Sequence, residues 1–356
     1  MKMYIPALCL CFLLSGCAKK QIIDKVKIIQ SIGYDIQGDT YKSSASYSSY
    51  DKKARLQVLT SEAQTFSGVH IGLNTQSDDQ IVIGQLRTIV ISEKFARRGL
   101  QDLVSGIIRD PIVSSNATVV ITKQETSAIL SETLKYPPFY LSDLIKQNVE
   151  YGNIPLTNTH LLLDQYFGAG QDMYLPMLNK DEKGVFHLDG VGVFKGDKLH
   201  LLLTNKEAFF LKILKDKSRN ISSFYEFTTE QKEKIYLKIL HEKRKVSLQQ
   251  NDKAVIYLKL NIDLRDIPNK SSVDKSQLLE LKKQIENHFS KEITTMLEKF
   301  QNNNIDPIGF GELYRGKEKN WNQQEFSHTS YPKIKFEVYP EIIILQSGVG
   351  ISATKS

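Results

Sequence analysis

Apolar and polar residues change rhythm several times along this 356-residue chain. The first rhythm is a single run. Tyr4 to Leu14 is almost continuously apolar, behind one early cation, Lys2. That is about half of the ~20 residues a membrane-crossing helix needs. Alternation comes next. Ile28, Ile32 and Gly33-Tyr34-Asp35-Ile36 predict a strand that closes at a Gly38-Asp39 turn. The Ser- and Tyr-rich stretch from Tyr41 to Tyr50 predicts a twisted, half-exposed strand, and Arg55 to Phe66 alternates again.

From Gln80 to Thr122 the period switches twice. Leu86 to Ile91 is a β-branched run, with Ser92 placed as an N-cap. Phe95, Leu100, Leu103, Val104, Ile107 and Ile108 then share one face of a single helix that Asp110-Pro111 ends. Ala117 to Thr122 is a second β-branched run, so strand, helix and strand predict a right-handed crossover with two parallel strands. A helix over Glu125 to Leu134 stops at Pro137-Pro138, and Leu141 to Phe167 reads as helix interrupted near Gly152 to Pro155. Val185 to Phe194 and Leu199 to Leu203 form a hairpin around Gly196-Asp197. Thr204-Asn205-Lys206-Glu207 is a capping box, opening a helix whose stripe is Phe210, Ile213 and Leu214.

Beyond Ser218 long charged residues become frequent. Ala254 to Leu264 alternates strictly, which predicts a strand with one buried and one wet face. Ile235 to Leu240 and Arg244 to Leu248 are candidates for the same sheet. Leu278, Leu281, Ile285, Phe289, Ile293, Met296, Leu297 and Phe300 recur every three to four residues. They predict the longest helix, packed across a sheet rather than in a coiled coil. Lys333 to Leu345 closes the chain as a strand, with Pro340 pointing to an edge or a bulge. The fold class that follows is α+β (mixed α/β) in several domains, with the long C-terminal helix lying across a largely antiparallel sheet. The boundaries expected are 1–16 for a signal peptide, 17–24 for a tether, 25–200 for an N-terminal α/β domain and 201–356 for a C-terminal α+β domain.

Charge and cysteines sharpen the first run. Leu14-Ser15-Gly16-Cys17 closes it and resembles the bacterial lipobox, in which the cysteine is diacylated and the chain is cut just before it. Cleavage is therefore expected between Gly16 and Cys17, with an S-diacylglycerol on Cys17. Cys9 and Cys11 would leave with the signal, so no disulfide partner remains for Cys17. The formal charge of +7 is spread along the chain, with small clusters at Lys19-Lys20 and Lys243 to Lys245. Without a basic stripe, nucleic acid is not an expected partner. The basic residues read first as a solvated surface; the alternative is attraction of those near the anchor, Lys19 and Lys20, to anionic headgroups, at ~1 kcal/mol per basic residue at the surface.

Motifs for catalysis are missing from the sequence. It contains no G-x-S-x-G elbow, H-E-x-x-H, phosphate-binding G-x-x-x-x-G-K-[ST] or paired C-x-x-C. Gly190-Val191-Gly192 with Gly196 falls in the hairpin, away from the strand-to-helix context a dinucleotide needs. His160 and Asp164 stand four apart on a helix, but two ligands do not make a metal site. The expectation is a non-enzyme without cofactor or metal. Asp306-Pro307-Ile308-Gly309-Phe310-Gly311-Glu312-Leu313 remains open between a ligand loop and a tight connection after the long helix.

In the order laid out, these residues resemble the Ger(x)C family, lipoprotein C-subunits of bacterial spore germinant receptors. The resemblance runs through the lipobox at Cys17, Gly33-Tyr34-Asp35, Gln85-Leu86-Arg87 to Arg109-Asp110, and Gly190 to Leu203. It is strongest over Asn304 to Gly350, where Asp306, Gly309-Phe310-Gly311, Trp321 and Ser347-Gly348 keep the family's order. Two places depart from it. Ala18-Lys19-Lys20 stands where a tryptophan often follows the cysteine, and Gly84-Gln85-Leu86 where glycine-histidine-leucine is common. The resemblance implies a lipid-anchored, non-enzymatic subunit on the outer face of the spore inner membrane. It would assemble with two integral-membrane subunits, and Asp306, Gly309, Phe310, Gly311 and Trp321 would serve structure or an interface. The competing expectation is a solute-binding lipoprotein serving a membrane transporter.

Overall fold

The period-two stretches build two sheets, described by a computed structural model over residues 26–49, 55–110, 113–216, 223–249, 252–265 and 275–346. Residues 1–25 lie outside the described residues, and with them the apolar run, the lipobox and the tether. In chain order the first sheet takes β1 (Val26–Gln37), β2 (Thr40–Ser49), β3 (Arg55–Ala63), β4 (Gln80–Val82), β5 (Thr88–Ser92), β6 (Thr118–Thr122), β7 (Tyr174–Lys180), β8 (Phe186–Lys195) and β9 (Lys198–Leu203). Its spatial order is β3-β2-β1-β5-β6-β7-β8-β9, with β4 beside the start of β1. The centre, β1-β5-β6-β7, is parallel, while both flanks are antiparallel meanders.

Helices α1 (Phe66–Thr75), α2 (Glu93–Arg98) and α3 (Gln101–Arg109) pack on one face with α6 (Thr159–Phe167). Helices α4 (Thr126–Glu132) and α5 (Tyr140–Tyr151) contribute to the core on the other face. The second sheet is β10 (Ser223–Thr228), β11 (Lys234–Gln249), β12 (Lys253–Arg265) and β13 (Lys335–Gln346), antiparallel except for the β12–β13 pair. Between the sheets in sequence stands α7 (Asn205–Lys215), and between β12 and β13 the 28-residue α8 (Lys275–Asn302), about 42 Å at 1.5 Å per residue. A short α9 (Phe310–Arg315) follows it. The mixed α+β class, with the long helix packed on the second sheet, is what the periodicity predicts.

Three expectations need correction. The single helix after Ser92 is two, because Gly99 takes φ 137° and leaves no room for a Cβ against Asp197, whose carbonyl accepts Leu100 N–H at 3.0 Å. The break re-phases the second piece, so Ile108 faces solvent, 53% exposed, rather than joining the apolar face. The Ser-rich strand β2 is buried from Ser43 to Tyr47 rather than half-exposed, since α1 and α4 both pack on it and small side chains admit them closely. Finally, β11 is one strand of 16 residues with a bulge between Ile239 and His241, where two shorter strands were expected.

Helix α7 holds the molecule together. Its Thr204 capping box is complete, and every residue from Ala208 to Leu214 is buried, Lys212 included. Phe209 and Phe210 meet Tyr225 of β10 and Phe289 of α8 at ring distances of 4.7–6.0 Å. A helix apolar nearly all round belongs inside a core. Here that core runs from Val90 of the first sheet to Ile342 of the second.

Candidate functional site

The loop after α8 is shaped by its own acid. Asp306 is 5% exposed, and its carboxylate accepts the backbone N–H of Gly309 and of Gly311, each at 2.8 Å. Gly309 supplies the positive φ of 87° that lets the chain turn there. The loop then locks onto residues 168–172, which precede β7. Asp306 N–H donates to the Asp172 carboxylate at 2.6 Å, and Asp172 N–H returns to Asp306 C=O at 2.9 Å. Glu312 N–H donates to Gly170 C=O at 3.0 Å, and Gly170 N–H to the Gln323 side chain at 2.6 Å. The backbones approach so closely that a Cβ on Gly311 would stand 2.7 Å from Gly170 Cα. Lys215, at the end of α7, adds its Nζ to Ile308 C=O at 3.2 Å.

Burial pushes the Asp306 carboxyl up to about 7, against the three backbone N–H groups of Gly311, Phe310 and Gly309, which favour the charge, and Asp172 adds to the rise. Asp172 is raised as well, again by burial. Phe310 is fully buried against Phe336, at 5.4 Å, and Tyr331, at 6.5 Å. Trp321 lies half-buried beside Phe326 at 6.4 Å, and its indole N–H has no hydrogen-bond partner among the described residues. Of the residues singled out by the resemblance, Asp306, Gly309, Phe310 and Gly311 therefore come together in one clamp, with Trp321 apart from them. With both carboxylate oxygens engaged by the loop itself, the chemistry of this arrangement is docking of one chain segment on another. Cys17 and Gly16 lie outside the described residues.

Two further clusters escaped the sequence. Under α7, Lys212 gives its ammonium to Gly152 C=O, at 2.9 Å, and to Val149 C=O. Arg244 binds the terminal carbonyls of α7, reaching Lys215 C=O at 2.7 Å, Ile213 C=O at 3.3 Å and also Asp216 C=O. Its guanidinium lies 3.2 Å from Glu242, which burial pushes up to about 8. Burial also raises Asp216 and lowers Lys212. The second cluster floors a cleft of about 570 Å³ between α1 and α3, where Tyr34 Oη and His70 Nε2 lie 3.0 Å apart over Ile29, Ile32 and Leu73. Burial lowers the His70 pKa. His160 and Asp164 sit on α6 as expected, and among the described residues no group of three acidic, His or Cys side chains is placed to hold a metal.

The architecture is an α+β fold of the class seen in one solved structure, described as the crystal structure of the GerBC protein. It matches with a TM-score of 0.58 at 17% identity, covering 88% of this chain and 96% of that one. Residues 19–180 match the family described as spore germination protein N-terminal domain, and residues 189–348 the one described as spore germination B3/GerAC like, C-terminal. The chain belongs to this Ger(x)C family of spore germination proteins. Among curated relatives, spore germination protein GerQC of Bacillus cereus is 27% identical over 98% of this chain and 99% of its own length. Spore germination protein KC of Bacillus subtilis (strain 168) is 26% identical over 73% of this chain and 71% of its own.

Proposed function

We propose that the chain is the lipid-anchored, non-enzymatic subunit of a spore germinant receptor. The reading rests on membership of the spore germination family along both halves, together with Leu14-Ser15-Gly16-Cys17 at the end of a short apolar run. Signal cleavage leaves Cys17 as the first residue, acylated and inserted in the outer leaflet. The nine residues from there to Val26 reach at most about 30 Å, so the folded part stays at the membrane. Anchoring raises its local concentration beside two integral-membrane subunits, and the protein acts by docking on them. Residues 25–200 and 201–356 serve as its two working parts, with β9 running across the boundary between them and α7 and the Asp306 clamp joining them. The helices of the described residues include none long and apolar enough to cross a membrane, which leaves the acyl chains as the anchor in this reading. A solute-binding role is not favoured, since two doubly wound lobes are absent from the described fold.

Replacing Cys17 by Ala tests the reading. The variant is expected in the soluble fraction, with nutrient-triggered germination impaired. Normal germination with the protein fully soluble would contradict it.

A further inference from the structure

The second sheet has two unlike faces. One is sealed by α8, and Ala254, Ile256, Leu258, Leu260 and Ile262 of β12 are all buried there. The other shows four large rings to solvent: Phe224 at 46%, Tyr236 at 41%, Tyr257 at 50% and Tyr339 at 49% exposed. The ladder groups them. Tyr257 stands opposite Tyr339 with rings stacked at 5.4 Å, and Phe224 opposite Lys238, whose Nζ lies 5.7 Å from the ring centre. Phe224, Tyr236, Lys238 and Arg265 line a shallow depression of about 410 Å³.

Charge on this face is unbalanced. Lys234, Lys253, Lys259 and Arg265 each hold a carboxylate at 2.6–2.7 Å. Lys238, Lys243 and Lys245 have none among the described residues. Lys243 also lies directly opposite Lys259 across the ladder, and since Glu341 is taken by Lys259, Lys243 is the cation of that pair left without a carboxylate among the described residues. The bulge after Ile239 sets this pattern, because it turns Lys243 and Lys245 outward and Glu242 and Arg244 inward.

Lysine is depleted at the centre of protein–protein interfaces. Tyrosine rings with polar tips, set among lysines, are instead the chemistry of the lipid headgroup region. We propose that this face of the second sheet lies on an anionic phospholipid surface, with phosphates over Lys238, Lys243 and Lys245 and the tyrosine rings at headgroup depth. The proposal stands on the sheet alone and needs no acyl group. It therefore survives or fails separately from the reading of Cys17.

The test uses the full chain carrying Cys17→Ala and vesicles of phosphatidylcholine with or without phosphatidylglycerol. Co-sedimentation is expected only with phosphatidylglycerol, weakening as salt rises. Changing Lys238, Lys243 and Lys245 together to Gln is expected to lower affinity on the order of a hundredfold, from about fivefold per lysine. Tyr257→Ser with Tyr339→Ser should weaken it further. A control with the same net charge, Lys94, Lys283 and Lys291 changed to Gln, should bind within a few fold of the parent. Equal binding to both vesicles, no binding to either, or equal losses in the two triple variants would overturn the proposal.

Discussion

At the scale of single residues, Gly309 and Gly311 divide the work of the Asp306 clamp in different ways. Gly309 is needed for its backbone angle, so Gly309→Ala should cost about 1–2 kcal/mol, the strain of a left-handed residue. Gly311 is needed for space, since a methyl group there meets the backbone of residue 170 rather than a flexible side chain. Gly311→Ala should therefore cost more, about 2–4 kcal/mol, and open the contact between residues 168–172 and the loop. Gly196 is the comparison. It also has a positive φ, of 60°, yet nothing within 4 Å of a Cβ, so Gly196→Ala should behave like Gly309→Ala. Urea unfolding of the three variants checks the order, and Gly311→Ala being the mildest would contradict the clamp.

At the scale of elements, α7 shows how a buried charge can serve a helix end. Arg244 donates to the carbonyls at its C-terminus and lies beside the Glu242 carboxyl. Arg244→Met should cost about 1–3 kcal/mol, because it leaves the buried carbonyls at the end of α7 without their donor. Glu242→Met should be better tolerated at about pH 6, where burial keeps that carboxyl protonated, and a loss as large as that of Arg244→Met would show that the ion pair carries the stability. These elements also mark where the sequence stopped being legible. Long periodic segments such as α8, β12 and the β8–β9 hairpin could be read directly, because one side is buried and the other wet. So could the Thr204 capping box and the Ser92 N-cap, which accepts Phe95 N–H at 3.3 Å. The break at Gly99 could not, since its cause is a loop about a hundred residues away. Neither could the cluster at Lys212, because one unmarked bulge in β11 decides whether Glu242 and Arg244 face in or out. For the loop at Asp306, a tight connection stayed open beside a ligand loop, because the partner that decides it, Gly170, lies more than a hundred residues away in the chain.

At the scale of the whole molecule, the shared core and the buried acids make stability depend on pH in a defined direction. Burial holds Asp306 at about 7 and Glu242 at about 8, above the ordinary carboxylate range. The folded chain thus keeps protons that the unfolded chain releases. Their contribution is fully present below the unfolded value, near pH 4, and is lost as pH rises through about 7 and about 8. The urea midpoint should accordingly fall between about pH 6.5 and pH 8, above the range in which the buried His70 adds stability with rising pH, and Glu242→Gln should flatten the upper part of that slope. A midpoint that rises over this range in the parent would contradict the burial of these groups.

What the molecule as a whole is for can be tested most directly by what it holds on to. Affinity purification of the tagged, full-length chain from detergent-solubilised spore membranes should bring down two integral-membrane proteins in constant proportion. That complex should be lost when Cys17 is replaced by Ala. Recovery of the chain alone from those membranes would contradict the account of a germinant-receptor subunit.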